Sequence, residues 1–106
     1  MNILTLNKIA KCGTDRFPEG YMCSDAVEAP DAIMVRSAAM HDMEFAANTV
    51  AIARAGAGVN NIPLDKCTQQ GIVVFNTPGA NANAVKELVL CGLFLSSRRI
   101  PAAMDW

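Results

Sequence analysis

The sequence predicts an α/β fold in which a mostly parallel sheet is followed by one long C-terminal helix. Short aliphatic runs alternate with segments of helical character, and from Asn81 onward the pattern becomes continuously helical. Parallel strands need crossover connections, so the alternation favours parallel pairing. A chain of 106 residues with an apolar fraction of 52% suits one small domain.

The strands are predicted from runs of aliphatic residues that Gly, Pro, Asp or Asn residues bound on either side. These runs are residues 3–6, 32–35, 50–55 and 72–75. A further short strand is predicted at residues 21–23, where it would pair beside the first, within an otherwise irregular stretch over residues 8–28.

Two short helices are predicted between the strands, at residues 42–47 and 64–70. In the second, Pro63 stands near the first turn, Asp65 favours the positive end of the helix, and Gly71 can take the left-handed position after the last turn. The sequence therefore predicts a sharp stop at Gly71.

The long helix is predicted to begin just after the turn at residues 77–79, with Asn81 as its cap, and to end within residues 96–101. Its apolar residues cover most of the circumference, so the helix needs burial on more than one side. A sheet can cover only one side. The other is expected to meet another part of a longer chain or a second subunit, giving a homo-oligomer through residues 84–98.

Charge and composition argue against several classes of partner. The net charge is −1 and no run of Lys or Arg occurs, so neither nucleic acid nor a membrane surface is an expected partner. The longest apolar stretch, residues 88–95, is too short to span a bilayer. We therefore expect a cytoplasmic protein. The four cysteines and one histidine lack zinc-site spacing, which predicts no metal site. Reduced, mostly buried thiols are expected, and a structural disulfide is the less favoured alternative.

Polar residues at the ends of predicted strands are the candidate sites. Arg36 and Ser37 follow a strand directly, where a guanidinium can hold a carboxylate or phosphate; the alternative is a surface arginine beside a capping serine. The glycine-rich turn around Ala57 and Gly58 can take unusual dihedrals and offer N–H groups to an anion; the alternative is a tight turn without a ligand. Asn81 could cap the long helix or face a ligand.

His41 is the only imidazole and is considered as a general base. No carboxylate is clearly placed to orient it, which favours a solvent-exposed histidine. Glu87 is expected to pair with its neighbour Lys86 or with capping groups of the helix. Neither residue is assigned a catalytic role.

Four motifs together resemble the D-isomer-specific 2-hydroxyacid dehydrogenases. They are Val-Arg-Ser at 35–37, Arg-Ala-Gly-Ala-Gly-Val-Asn-Asn-Ile at 54–62, Gly-Ile-Val-Val-Phe-Asn-Thr-Pro-Gly-Ala-Asn at 71–81 and Ala-Val-Lys-Glu-Leu at 84–88. The order and spacing of the motifs carry the resemblance over residues 30–99. Within that family the likeness is strongest to the members that act on D-3-phosphoglycerate.

The resemblance implies a flavodoxin-like substrate domain over residues 1–77, and then, over residues 78–106, a hinge and the first helix of a truncated nucleotide-binding domain. It implies that Arg36 and Ser37 lie beside the acidic groups of a small phosphorylated hydroxyacid. The N–H groups around Ala57 and Gly58 would hold the carboxylate, and Asn81 would approach the substrate. Ala57 would also touch the NAD cofactor.

The resemblance also implies what this sequence lacks. The G-x-G-x-x-G loop and the second Arg, Glu and His of the family's catalytic machinery follow later in the family's chain, so no catalytic residue is assigned here. We expect an amino-terminal fragment that is inactive alone. The intact parent would oxidise 3-phosphoglycerate with NAD in serine biosynthesis; alternatives are a glyoxylate, hydroxypyruvate or glycerate reductase, or a non-catalytic anion-binding module.

Overall fold

The computed structural model describes residues 1–105, which form a parallel sheet with helices after and between its strands. The elements are β1 (Asn2–Leu6), α1 (Lys11–Thr14), β2 (Met22–Ser24), β3 (Ala32–Val35), β4 (Ala51–Arg54), α2 (Leu64–Gln70), β5 (Val73–Phe75), α3 (Ala82–Ser97) and α4 (Ile100–Met104). The five strands have the order β2-β1-β3-β4-β5 and every neighbouring pair is parallel. The predicted α/β fold is confirmed, and the strand order is that of flavodoxin-like sheets.

The core lies on one face of the sheet. The strand register sets Leu4 beside Ile33 and Ile33 beside Ile52, so that aliphatic side chains from three adjacent strands share that face. Loops and α2 cover it, and the remaining buried members of the core are Val35, Met40, Phe45, Ile62, Cys67 and Ile72. Each predicted strand is present, with its ends displaced by two residues or fewer.

Helix α2 has the predicted bounds. Gly71 takes the left-handed conformation at φ 70°, and its N–H donates to the carbonyl oxygen of Thr68 at 3.2 Å. The next residue, Ile72, donates its N–H to the carbonyl oxygen of Cys67 at 2.8 Å. These two bonds end the helix and lead the chain into β5.

The helix predicted over residues 42–47 is wrong, because the segment consists of turns and irregular backbone. Its polar groups bond to distant parts of the chain. Just before the segment, the N–H of Met40 donates to the carbonyl oxygen of Asn61 at 2.9 Å. Within it, Lys66 Nζ donates to the carbonyl oxygen of Met43 at 2.7 Å and to Glu44 Oε1 at 2.8 Å. These tertiary bonds take the place of the local bonds that a helix would have made.

Helix α3 stands away from the sheet. Among the described residues its element contacts are with α4, and every residue of α3 is exposed. The Cα radius of gyration is 18.7 Å, whereas a compact domain of this length has about 13 Å. The expectation that the sheet would bury one side of α3 is therefore wrong, because the chain leaves the sheet at the turn after β5 and runs outward.

None of the four cysteines is joined in a disulfide in the described chain. Only Cys67 is buried, and burial raises the pKa of its thiol. Cys23 is partly buried, whereas Cys12 and Cys91 are exposed. The prediction of mostly buried thiols is wrong, since Cys91 lies on the exposed α3 and Cys12 on the surface helix α1.

Candidate functional site

The candidate site lies at the carboxyl edge of the sheet, near the point where the strand order reverses between β1 and β3. Open parallel sheets bind ligands at this kind of edge. The residues that directly follow the neighbouring strands β1, β3, β4 and β5 are Asn7, Arg36, Ala55 and Asn76. Three of these four carry side chains that can hydrogen-bond a ligand or fix a loop.

Arg36 is held by hydrogen bonds to its backbone from both neighbouring strand ends. Asn7 Oδ1 accepts from the N–H groups of Arg36, Ser37 and Ala38 at 3.1, 3.0 and 3.0 Å. On the other side, Arg54 Nε donates to the carbonyl oxygen of Arg36 at 2.9 Å. The N–H groups after β3 are thus occupied, and the Arg36 guanidinium remains the group that can bind an anion.

Arg54 also explains the glycine at position 56. A Cβ placed on Gly56 would stand 2.7 Å from Arg54 Nη1, so any larger residue would require the Arg54 guanidinium to move. Neither Gly56 nor Gly58 has a positive φ. The expectation that these glycines serve unusual dihedrals is therefore wrong, because at Gly56 the missing side chain is what matters.

A cleft of about 400 Å³ opens beside Arg36. Arg36 and Asn81 both line it, so the structure brings together two of the predicted site residues; the rest of the lining is Ala55, Gly56, Thr77 and Ala80. Ser37, Ala57 and Gly58 are not among the lining residues. The cleft therefore combines the end of β3, the glycine turn and the start of α3.

The glycine turn is fastened to the segment after β5. Asn76 Nδ2 donates to the carbonyl oxygen of Ala57 at 2.8 Å, and the Thr77 N–H donates to the carbonyl oxygen of Gly56 at 3.0 Å. Within residues 1–105, the N–H groups of Ala57 and Gly58 donate to no protein acceptor. The turn thus directs carbonyl groups to the protein and leaves these two donors open to a ligand.

Asn81 precedes α3 but does not cap it with its side chain; its backbone carbonyl accepts from the Val85 N–H at 3.0 Å. The expectation of a side-chain cap is wrong. The Asn81 backbone has φ −107° and ψ 7°, away from the extended conformation that a capping side chain requires. Its amide is therefore free to line the cleft.

His41 lies outside this cleft and is exposed, as predicted; its Nε2 is 2.9 Å from the carbonyl oxygen of Asn60. Glu87 accepts from Asn83 Nδ2 at 2.8 Å, so the expected pairing with Lys86 is wrong: Lys86 also bonds to the Asn83 side chain. No metal-binding group of three His, Cys, Asp or Glu side chains occurs within the described chain. None of the helices in residues 1–105 has the length and apolarity to cross a membrane.

Three residues that shape the site received no site role from the sequence: Asn7, Arg54 and Asn76. Each bonds a segment at least 18 residues away. Their position directly after or at the end of a predicted strand was the available signal. Sequence spacing does not say which strands are neighbours, so the partners could not be named from it.

Residues 14–102 match the sequence model of the D-isomer specific 2-hydroxyacid dehydrogenase catalytic domain. The chain belongs to this family. The match includes the strand-end Arg36, the glycine turn, the turn after β5 and α3.

The curated relatives include enzymes with two different names. D-3-phosphoglycerate dehydrogenase of Mycobacterium bovis is 41% identical over 81 residues, which cover 74% of this chain and 15% of that protein. The enzyme of the same name from Archaeoglobus fulgidus is 42% identical, over 69% of this chain and 14% of its own. Hydroxypyruvate reductase of Thermotoga maritima is 44% identical, over 65% of this chain and 23% of its own. The chain spans about 15% of the length of the first of these relatives.

A solved structure agrees with the fold. The crystal structure of NAD+-bound 3-phosphoglycerate dehydrogenase from Entamoeba histolytica superposes with a TM-score of 0.70 at 26% sequence identity. The superposition covers 90% of this chain and 38% of that one. The sheet and the helix that follows it are therefore similar to a part of that enzyme.

The glycine turn and α2 do not form a dinucleotide site by themselves. In the glycine turn, Gly56 makes room for the Arg54 guanidinium, and Asn61 stands where a third fingerprint glycine would be. Helix α2 after this turn has seven residues and begins after Pro63, which has no N–H to offer a phosphate. A dinucleotide would have to be held chiefly by other residues.

Proposed function

We propose that this chain is the substrate-binding segment of an NAD-dependent D-2-hydroxyacid dehydrogenase. On this proposal residues 1–77 form the substrate domain, the turn before α3 is the hinge, and α3 begins the nucleotide-binding domain. The NAD is bound mainly by residues outside this sequence. The observation that carries the proposal is that Arg36 lines a cleft with Asn81 at the carboxyl edge of the sheet.

The cleft suits a small anion. Arg36 supplies a guanidinium, whose paired donors match a carboxylate or phosphate, and Asn81 supplies both an amide donor and an acceptor. Ala57 and Gly58 supply open N–H groups on the adjoining turn, which we assign to the carboxylate, with Ala57 also beside the cofactor. Ser37 is assigned to the acidic groups of the substrate through its hydroxyl, since its N–H already bonds to Asn7.

We propose 3-phosphoglycerate as the substrate, in the first oxidation of serine biosynthesis in the cytoplasm. Support comes from the relatives named D-3-phosphoglycerate dehydrogenase at 41% and 42% identity. Reduction of hydroxypyruvate is the second candidate, because a relative with that activity in its name is 44% identical. Hydroxypyruvate lacks the phosphate and is already a ketone at C2. The matched comparison is therefore with 3-phosphohydroxypyruvate, the oxidation product of 3-phosphoglycerate, which differs from hydroxypyruvate by the phosphate alone.

We further propose that the enzyme is a homo-oligomer through residues 84–98. The accessible surface of the chain is 7823 Å², against about 5,700 Å² for a compact monomer of this mass. The excess is larger than the roughly 800 Å² that each partner buries in a standard interface. On α3, Leu88 is 73% exposed and Phe94 is 64% exposed, which is an apolar surface of the kind that subunits cover.

The substrate proposal is tested by replacing Arg36 in the complete enzyme. Arg36→Ala is expected to lower kcat/KM for 3-phosphoglycerate more than tenfold, because it removes a charge-assisted contact of about 1.5 to 3 kcal/mol. Arg36→Lys is expected to recover only part of the loss, since an ammonium lacks the planar pair of donors. Steady-state kinetics with NAD in excess measures both.

The control is Arg16→Ala, which removes an exposed arginine outside the cleft and is expected to leave kcat/KM unchanged. Unchanged kinetics in Arg36→Ala would reject the substrate role of Arg36. A higher kcat/KM for hydroxypyruvate than for 3-phosphohydroxypyruvate, both measured with NADH, would favour the second candidate. A complete polypeptide that binds either acid without turning it over would instead be a non-catalytic module.

A further inference from the structure

We propose that Asn7 is a positioning residue for substrate binding, because its side chain fixes the backbone from which the Arg36 guanidinium projects. This inference rests on the proposed function, in which Arg36 binds the acid substrate. Asn7 does not line the cleft that Arg36 shares with Asn81. It acts through the segment that directly follows β3.

The hydrogen bonds of Asn7 converge on one short segment. A single oxygen, Asn7 Oδ1, accepts from three consecutive N–H groups, those of residues 36, 37 and 38, at 3.1, 3.0 and 3.0 Å. Such a set of converging N–H groups binds anions in many proteins. Here the chain fills the set with its own neutral amide. The segment is thereby fixed, and no negative charge is brought to the neighbourhood of Arg36.

The backbone of Asn7 has an uncommon conformation for a residue other than glycine. It has φ 73°, one of two positive values among non-glycine residues in the described chain. Asparagine tolerates this conformation better than most residues, but it still carries a conformational cost. The conformation places Asn7 directly after β1, beside the neighbouring strand β3, so that its side chain reaches a segment 29 residues later.

Both the N–H and the carbonyl group of Arg36 are hydrogen-bonded. Asn7 accepts from the Arg36 N–H, and Arg54 Nε donates to the Arg36 carbonyl oxygen at 2.9 Å. Arg36 and Ser37 are themselves exposed and follow the last residue of β3. Without the Asn7 oxygen, three N–H groups lose their acceptor and the arginine rests on a mobile loop. Binding would then have to order that loop at the expense of affinity.

The test uses three variants of the complete enzyme. Asn7→Gly keeps the positive φ accessible but removes the acceptor, whereas Asn7→Asp keeps an acceptor of the same size. Arg36→Ala is made in parallel as the reference. Amide hydrogen exchange over residues 36–38 reports the loop, and steady-state kinetics reports the KM for the acid, the KM for NAD and kcat.

In Asn7→Gly we expect exchange over residues 36–38 to accelerate at least tenfold and the KM for the acid to rise about tenfold, with kcat and the KM for NAD within about twofold. Asn7→Asp is expected to restore slow exchange, whereas the negative charge that it brings near Arg36 is expected to keep the KM for the acid above that of the unmodified enzyme. A purely structural role would instead lower kcat and impair both substrates together, and that result would overturn the inference. An unchanged KM for the acid in Asn7→Gly would also overturn it.

Arg36→Ala separates the substrate role of Arg36 from the positioning role of Asn7. If Arg36→Ala raises the KM for the acid and Asn7→Gly does not, the positioning role is wrong and the proposed function stands. If Arg36→Ala itself leaves the KM unchanged, the assignment of Arg36 to the substrate is wrong, and the positioning role is wrong with it.

Discussion

The sheet and helix α3 use the same apolar residue types and treat them in opposite ways. Ile33 and Ile52 in the sheet are 1% and 0% exposed, whereas Leu88 and Leu93 in α3 are 73% and 59% exposed. The backbone N–H and C=O groups of a strand hydrogen-bond to neighbouring strands, so strands require tertiary structure. A helix makes these hydrogen bonds within itself. The difference teaches that secondary structure and burial are separable: α3 is a complete helix without a core.

The same difference between the sheet and α3 runs through the candidate site, because one side of the cleft belongs to each. The side of the cleft that carries Arg36 is built on the packed sheet and held by bonds from β1 and β4. The side that carries Asn81 belongs to the start of α3, and it is linked to the sheet through the bond from Thr77 to Gly56. The Arg36 side is therefore the rigid half, and the geometry of the Asn81 side depends on the turn between β5 and α3.

The largest expected effect is on the free energy of unfolding when a large aliphatic residue is replaced by alanine in the sheet, compared with the same kind of replacement in α3. Ile52→Ala is expected to lower the free energy of unfolding by about 2 to 5 kcal/mol, because it leaves a cavity in a filled core. Leu93→Ala is expected to change the free energy of unfolding of the monomer by no more than about 0.5 kcal/mol, because Leu93 is 59% exposed. Urea unfolding at low protein concentration measures both. Equal losses in the two variants would show that α3 packs on the sheet.

The next effect concerns the proposed association through α3. Leu88→Glu is expected to weaken self-association about tenfold to hundredfold, since burying one leucine is worth about 1.5 to 3 kcal/mol. Sedimentation equilibrium measures it, and Lys86→Glu serves as a charge-changing control at a polar position of α3. A wild-type chain that stays monomeric across a wide concentration range would contradict the proposed homo-oligomer.

Two glycines offer a smaller matched test. Gly71→Ala is expected to destabilise the sheet by about 1 kcal/mol, because residue 71 has φ 70° and an added Cβ would meet no atom that could compensate. Gly92→Ala lies inside α3 and is expected to increase helicity by circular dichroism, since alanine favours a helix by about 0.5 to 1 kcal/mol. A shift of the sheet's unfolding midpoint in Gly92→Ala would show that the two regions are coupled.

The smallest expected effect is a dependence on pH within the sheet region. The Asn2 N–H and the Asn48 side chain donate to Asp31, which lowers the pKa of that carboxyl below its ordinary value. The ionised form therefore contributes stability above the unfolded pKa of about 3.9, and this contribution is lost as pH falls through the folded pKa. Asp31→Asn is expected to remove that part of the acid sensitivity. Thermal unfolding between about pH 5 and pH 2 measures it, and an unchanged slope would reject the role of Asp31.

The sequence predicted local features well where local chemistry decides them. The aliphatic runs gave each strand, Gly71 gave the end of α2, and the pattern from Asn81 onward gave a helix that spans Ala82–Ser97. It failed over residues 42–47, where bonds from Lys66 to Met43 and Glu44 replace helical ones. It also failed on the side chain of Asn81, because the capping role depends on backbone dihedrals that the residue type does not fix.

The sequence by itself determined the alternation of strands and helices, the stop at Gly71, and the motifs that place the chain in its family. These depend on neighbouring residues and on short spacings, which the sequence states directly. Only the tertiary structure decided that Asn7 and Arg54 hold Arg36 from both sides, and that α3 does not pack on the sheet. Those facts depend on which strands become neighbours and on the direction of one turn, and both are set by the packing of the whole chain.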